Sequence, residues 1–168
     1  MEFVDAFATR QYAKGDIISL SGEPEARLRF LVSGTVREYF SHEGKEMNTQ
    51  FFVRPQFISD FHALVNHQSR KKYQECLSEV TLREMGSEIF FQFMDNYQCG
   101  KAFVDQIFQK LIAEKEDEAF EHFSLTPDEL YQDLLQNKPE WLQEIPLRHI
   151  ATYLRMTPET LSRIRKRS

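Results

Sequence analysis

The last stretch of the chain carries residues whose types and spacing suit contact with a nucleic acid. From Arg148 to Arg167 there are six arginines and lysines and one acidic residue, Glu159, which gives this segment a net charge of +5. The whole chain has 21 basic and 26 acidic residues and a net charge of −5, so the remainder carries −10. An acidic body with a basic tip favours nucleic-acid binding at the tip. The alternative is a basic helix that is merely solvated.

Within this segment the sequence predicts two helices joined by a tight turn. The first helix is expected from Pro146 to Leu154, with Pro146 at the first helical position, where its missing N–H costs nothing. The apolar residues of this helix recur at helical spacing and are Leu147, Ile150, Ala151 and Leu154. A turn through Arg155 and Met156 is then expected to lead into the second helix.

The second helix is predicted to present a polar face. Thr157 is the expected N-cap, with Pro158 at the first helical position and Glu159 in the first turn, where a carboxylate suits the helix dipole. Leu161 and Ile164 are expected to face the first helix. The side chains left for contact with duplex DNA are Thr157, Glu159, Thr160, Ser162, Arg163, Lys166 and Arg167. A helix of this kind can lie in the major groove with its N-terminal residues at base edges.

The first ninety residues predict the β-structure that carries this tip. Four glycines lie in turn-like contexts at intervals of 7, 12 and 10 residues, and they are Gly15, Gly22, Gly34 and Gly44. Short apolar segments lie between them, which is typical of a sandwich or barrel. The segment Cys76 to Met85 is predicted as one further strand.

The middle of the chain predicts helices. A helical pattern begins at Ser87, and a long helix is expected from about Cys99 to Phe123. Its apolar positions are Phe103, Val104, Ile107, Phe108, Leu111, Ile112, Ala119 and Phe120. A helix that is apolar on more than one side needs two surfaces to bury against, of which one can be a second copy of the chain. The alternative is one amphipathic helix that covers the β-structure.

The pattern therefore divides the chain into three parts of an α+β fold. Residues 1–98 are expected to form the β-domain, residues 99–123 a connecting dimerisation helix, and residues 124–168 a helical domain that ends in the helix-turn-helix. Thr126 is the expected cap of the first helix of that domain, and the only tryptophan, Trp141, is expected to be buried in a short helical turn.

Composition excludes several classes of protein. Apolar residues make up 41% of the chain and aromatic residues 13%, which is enough to build a core. No apolar run approaches the roughly 18 residues of a membrane span, and the N-terminus lacks the pattern of a secretory signal. The two cysteines, Cys76 and Cys99, are expected to be reduced thiols. These features predict a cytoplasmic protein without a cofactor.

At this point the chain resembles the CRP/FNR family of bacterial transcription regulators over nearly its whole length. The resemblance lies in four segments, namely Tyr12–Ile18, Leu31–Arg37, Ile150–Leu154 and Thr157–Arg165. It implies a sensory β-roll of the double-stranded β-helix (jelly-roll-like) type, a dimerisation helix and a DNA-binding tip. It also implies that Glu159 and Arg163 read bases. The chain departs from the family at Arg155, where relatives often have a left-handed glycine, and at Pro158, which has no side-chain donor.

A second resemblance concerns an effector. In relatives that bind cyclic nucleotides, a Gly-Glu pair and a later arginine followed by two small residues cradle the sugar and phosphate. The corresponding positions here are Ser59, Asp60, Arg70, Lys71 and Lys72. The missing glycine and the two lysines favour a regulator that does not respond to cyclic nucleotides, with Arg70 to Lys72 as a solvated basic loop. Control by a cyclic nucleotide or by another small anionic ligand in the β-roll is the alternative.

The sequence favours two further classes of function less. Cupin-type enzymes hold a metal in a similar roll, but the five histidines here contain no His-x-His pair that would share a strand face. These residues, predicted to be ordinary surface histidines, are His42, His62, His67, His122 and His149. The chain is therefore expected to hold no metal and to be no enzyme. An interaction module that no longer binds DNA is the remaining alternative to a homodimeric, sequence-specific DNA-binding regulator.

Overall fold

Two antiparallel sheets form the N-terminal part of the computed structural model, which describes residues 3–96 and 100–167 apart from the side chains of residues 100, 101, 103, 108 and 115. The strands β1 to β8 are Ala8–Tyr12, Ile17–Ser19, Arg27–Ser33, Val36–His42, Lys45–Phe52, Gln56–Phe57, Tyr73–Cys76 and Val80–Gly86. A 3-10 turn at Phe3–Ala6 precedes them, and helix α1, Phe61–Val65, lies between β6 and β7. The predicted β-roll and the α+β fold class are confirmed.

The strand order shows why one prediction was wrong. One sheet has the order β1-β8-β3-β6 and the other β2-β7-β4-β5, so β7 and β8 belong to different sheets. The segment Cys76 to Met85 is therefore not a single strand, because the chain must cross between the sheets at Leu77 to Glu79. The Leu77 amide donates to the Thr35 carbonyl at 2.8 Å, and the Ser78 hydroxyl accepts from the Thr35 amide at 2.9 Å, which fixes this crossing.

Six helices follow the sheets in the described part of the chain. Helices α2 to α7 are Ser87–Asn96, Gly100–Ser124, Pro127–Asn137, Pro139–Glu144, Leu147–Tyr153 and Pro158–Arg167. Thr126 caps α4 as predicted: its hydroxyl accepts from the Glu129 amide, and the Glu129 carboxylate accepts from the Thr126 amide. The predicted start of the long helix at Cys99, and the side chains of Phe103 and Phe108, lie outside the described residues. No described helix has the length and apolar character needed to span a bilayer.

Three apolar clusters hold the fold together. Leu31, Val36 and Leu82 lie in the cluster between the sheets, and Leu28, Leu64 and Phe90 lie in the one beneath α2. Cys76 lies in the cluster between the sheets and is a free thiol. Burial raises the pKa of this thiol to about 12. The third cluster is built from α4 to α7, yet it includes Phe51 from strand β5. The roll and the C-terminal helices therefore share one core.

The turn between β3 and β4 generates a stability prediction. Gly34 has φ +95°, and a Cβ added there would collide with the Glu79 carbonyl and with Val80. Because neither the backbone conformation nor the space suits a side chain, Gly34→Ala should lower the free energy of unfolding by about 2–4 kcal/mol in urea. Gly22→Ala is the matched control: Gly22 has φ +88° but open space, so only a conformational cost of about 1 kcal/mol is expected. Equal losses in both variants would contradict the steric argument.

Candidate nucleic-acid interface

Helices α6 and α7 form the predicted helix-turn-helix. Arg155, in the turn between them, has φ +56°, so the expected left-handed conformation is confirmed. The Met156 amide donates to the Ala151 carbonyl at 2.9 Å, which closes the turn. The first helix is shorter than predicted, since Pro146 is its N-cap rather than its first helical residue and Leu154 is its C-cap. The extended backbone of Pro146, with ψ 132°, places it outside the helix.

The cap and the apolar side of α7 agree with the prediction. The Thr157 hydroxyl accepts from the Thr160 amide at 3.2 Å, and Pro158 opens the helix. The pKa of Glu159 is lowered, first by the hydrogen bond from its own backbone amide and then by the Thr157 hydroxyl. Leu161 and Ile164 are buried in the C-terminal core. The N-terminal turn of α7 is thus fixed with an ionised carboxylate at its exposed end.

The predicted DNA-contacting residues all lie on one side of this fixed helix. Thr160 is half-buried, and the others are exposed, namely Thr157, Glu159, Ser162, Arg163, Lys166 and Arg167. Arg163 is the sixth of the ten residues of α7, and its guanidinium lies 3.5 Å from the Thr160 hydroxyl. Arg167, at the far end, forms an ion pair of 3.0 Å with Asp128 of α4. The two ends of this face therefore differ, because the cation at the C-terminal end already has a partner.

A buried polar junction fixes the helix-turn-helix to the roll. Arg37 of β4 forms an ion pair with Glu46 at 2.7 Å and also contacts Glu75. The same guanidinium lies 3.3 Å from Nδ1 of His149 on α6, and Nε of Arg148 lies 3.4 Å from Nε2 of the same ring. Burial, followed by the charges of Arg37 and Arg148, lowers the pKa of His149 to about 4. His149 is therefore neutral at pH 7 and buried, so its prediction as a surface histidine was wrong.

Neighbouring contacts extend the junction on both sides. Asn48 of β5 donates to the Thr152 hydroxyl of α6 at 2.6 Å, and Thr35 donates to the Glu144 carboxylate at 2.8 Å. Phe51 contacts Trp141 edge to face, at a centroid distance of 4.9 Å. Sequence reasoning missed this interface, because its members come from segments about a hundred residues apart. The signal in the sequence was the pair of charged residues, Arg37 and Glu38, that follows Val36 in β4.

Two of the three basic residues predicted to form a solvated loop, Arg70 and Lys72, are instead held by carboxylates. Arg70 is buried, with its guanidinium 3.1 Å from the Glu25 carboxylate. Lys72 forms an ion pair of 2.7 Å with Glu38. The solvated-loop prediction was therefore wrong for both residues and agrees only with Lys71, which is exposed.

The two residues before α1 have local structural roles. The Ser59 hydroxyl accepts from the Arg29 amide at 2.7 Å, and the Asp60 carboxylate caps α1 by accepting from the Ala63 amide at 3.0 Å. The part of the chain that the structure describes contains no cluster of three or more histidines, cysteines or carboxylates able to hold a metal ion.

Comparison with known proteins agrees with this geometry. The family model of the cyclic nucleotide-binding domain matches residues 9–97. The fold is similar to that of FixK2 from Bradyrhizobium japonicum, with a TM-score of 0.82, 18% identity and coverage of 96% of this chain and 83% of that one. No significant match was found among curated proteins.

Two other solved structures also share the fold. CLP from Xanthomonas campestris, a c-di-GMP responsive global regulator, gives a TM-score of 0.75 at 16% identity, with coverage of 98% of this chain and 87% of that one. The catabolite activator protein of Thermus thermophilus gives a TM-score of 0.57 at 18% identity, with coverage of 97% of this chain and 78% of that one. The resemblance to the CRP/FNR regulators is thus confirmed for the fold.

The neutral state of His149 predicts a pH dependence. The pKa of His149 is about 4 in the folded chain and ordinarily 6.5, so the unfolded chain binds a proton first as the pH falls. The contribution of the neutral His149 to the free energy of unfolding is fully present above pH 6.5. It declines between pH 6.5 and 4, by at most about 1.4 kcal/mol per pH unit. The free energy of unfolding of wild type and of His149→Gln is measured in urea at pH 7.5 and 5.0. The difference between the two proteins should change by about 2 kcal/mol between these pH values.

The control for this prediction is His42→Gln, at a position where the side chain is 89% exposed. That variant should follow the pH dependence of wild type. Parallel pH profiles for wild type and His149→Gln would contradict the role assigned to the buried imidazole.

Proposed function

Because this chain belongs to the cyclic nucleotide-binding domain family and has the fold of CRP/FNR regulators, we propose that it is a sequence-specific DNA-binding transcription regulator that acts as a homodimer. The observation that carries the proposal is the α7 face, on which Arg163, Lys166 and Arg167 are exposed while Leu161 and Ile164 anchor the helix. We infer a cytoplasmic protein with no catalytic activity, whose partner is duplex DNA.

The charge and the shape of α7 support the same partner. A capped helix with exposed cations along one side can enter a major groove, where phosphates flank the base edges on both sides. Its fixed attachment to the roll gives α7 one orientation, so that its side chains meet the bases in a defined register. A merely solvated helix would need neither the buried Arg37–His149 contact nor the shared core around Phe51.

Helix α3 supports the homodimer. Its apolar residues Ile112, Phe120 and Phe123 are 59%, 68% and 88% exposed in the single chain. Large apolar side chains with this exposure, repeated along one long helix, favour burial against another surface. A second copy of α3 is the partner that we propose, because pairing of the long helices would place two recognition helices on one side of the dimer.

The experiment that tests the proposal is selection of bound duplexes from random DNA at stated salt. Two recognition helices in successive major grooves predict a palindromic site with half-sites about 10 base pairs apart. Affinity should fall steeply with salt as phosphate contacts release counterions. Ile112→Glu is the dimer control: it should shift sedimentation towards the monomer and weaken binding to the full palindrome. Selection without an enriched motif, or with a motif that lacks two-fold symmetry, would refute the proposal.

The positions of the cations on α7 predict different roles. Arg163 lies one turn into the helix, so Arg163→Ala should relax base preference at one position and cost about 1–3 kcal/mol in binding. Lys166 lies near the C-terminal end, so Lys166→Ala should weaken all sequences alike and lower the salt slope by about one. Selection profiles and salt titrations of both variants measure these effects. Indistinguishable profiles would show that the two roles are wrongly assigned.

A further inference from the structure

A fully buried carboxylate lies where two arginines of the roll converge. The Glu25 side chain has no solvent exposure, and the side chains of Arg29 and Arg70 are 7% and 5% exposed. Its Oε1 accepts from Arg29 at 2.6 Å and from Arg70 at 3.1 Å. The same oxygen faces the Arg27 amide at 3.4 Å, and Oε2 faces the Asp60 amide at 3.3 Å.

These donors come from three separate parts of the chain. Arg27 and Arg29 lie on β3, Asp60 lies just before α1, and Arg70 lies in the connection that follows α1. Arg29 also pairs with Glu84 at 3.2 Å and Arg70 with Glu23 at 3.5 Å, but Glu25 is the carboxylate that both guanidiniums contact. Without it the two buried cations would face each other with no anion between them, which is unfavourable. The donors thus form a cradle for an oxyanion, and Glu25 supplies that anion from within the chain.

The residues around Glu25 carry one more hydrogen-bond donor than its carboxylate contacts. Nε of Arg70 is buried and has no hydrogen-bond partner among the described residues. An unpaired buried donor is uncommon, so Arg70 has a further hydrogen bond to offer to an anion that takes the place of the Glu25 carboxylate. A carboxylate has only two oxygens, and both of those of Glu25 are already engaged.

We propose that Glu25 is the resident occupant of an oxyanion site inside the roll, and that it excludes small external carboxylates and phosphates from that site. Truncation of Glu25 should then convert the same cradle into a receptor for such anions. The proposal does not depend on DNA binding, since it concerns only contacts within the β-roll. Glu25 thus determines whether the site inside the roll is filled by the chain itself or takes a ligand.

The test is chemical rescue of the full chain. Glu25→Ala removes the atoms of an acetate group, so sodium acetate is the probe that matches the vacated space. Unfolding in urea is measured at pH 7.5 in acetate and in chloride at equal ionic strength. In chloride Glu25→Ala should be strongly destabilised. Acetate should restore it saturably, lowering the unfolding constant about tenfold when its concentration is about ten times its Kd.

Glu25→Gln is the matched control. It removes the charge but keeps the volume, so it should lose stability without responding to acetate more than wild type does. Wild type itself should show no saturable response to acetate or to inorganic phosphate. Comparison with wild type also corrects for the general stabilisation that phosphate gives to folded proteins.

Each remaining outcome would overturn the proposal. A Glu25→Ala variant that stays unfolded in acetate would show that no external anion can replace the side chain. An equal response of all three proteins would show a solvent effect only. Saturable binding of phosphate by wild type would show that Glu25 does not fill the site. None of these measurements contains DNA, so their result is separable from that of the proposed DNA-binding function.

Discussion

The position of α6, and of α7 packed against it, depends on a buried contact of the Arg37 guanidinium with the neutral imidazole of His149. A charge inside a protein is tolerated only where ion pairs and hydrogen bonds replace its hydration. Arg37 meets this requirement through Glu46 and Glu75 from its own sheet, which leaves part of the same guanidinium to face α6. The sheet therefore fixes the helix-turn-helix through a group that the sheet itself has already neutralised.

Two kinds of contact hold the C-terminal helices on the roll. Hydrophobic packing of Phe51 against Trp141 supplies non-directional stabilisation, whereas the hydrogen bonds of Asn48 and Arg37 with α6 allow one orientation. Arg163 and Lys166 of α7 are exposed and take no part in these contacts, whereas Arg167 is paired with Asp128 of α4. Substitution of Arg163 or Lys166 is therefore expected to leave the attachment of the helices to the roll intact.

Local patterns were sufficient for much of this structure. The caps at Thr126 and Thr157, the left-handed Arg155 and the inward side of α7 depend on residues within one or two turns, and all were predicted correctly. Two failures concern element boundaries, at Pro146 and within Cys76 to Met85. The other failures concern groups whose partners are distant in sequence. His149 and Arg70 look like surface residues until the sheets bring Arg37 and Glu25 against them. A polar residue can be assigned to the interior only when its partner is known, and spacing along the chain does not supply that partner.

Three buried arginines limit how this fold can respond to a ligand. Arg37 fixes the helix-turn-helix to the roll, and Arg70 together with Arg29 encloses a carboxylate that belongs to the chain. A ligand can shift an equilibrium only by its differential affinity for two states. If Glu25 fills the cradle, an external anion gains no such difference there, and the roll acts as a rigid support. In the proposed homodimer, the equilibrium left open to control is then the pairing of the α3 helices through the exposed Phe120 and Phe123, and the proposed DNA binding would depend on the concentration of the chain.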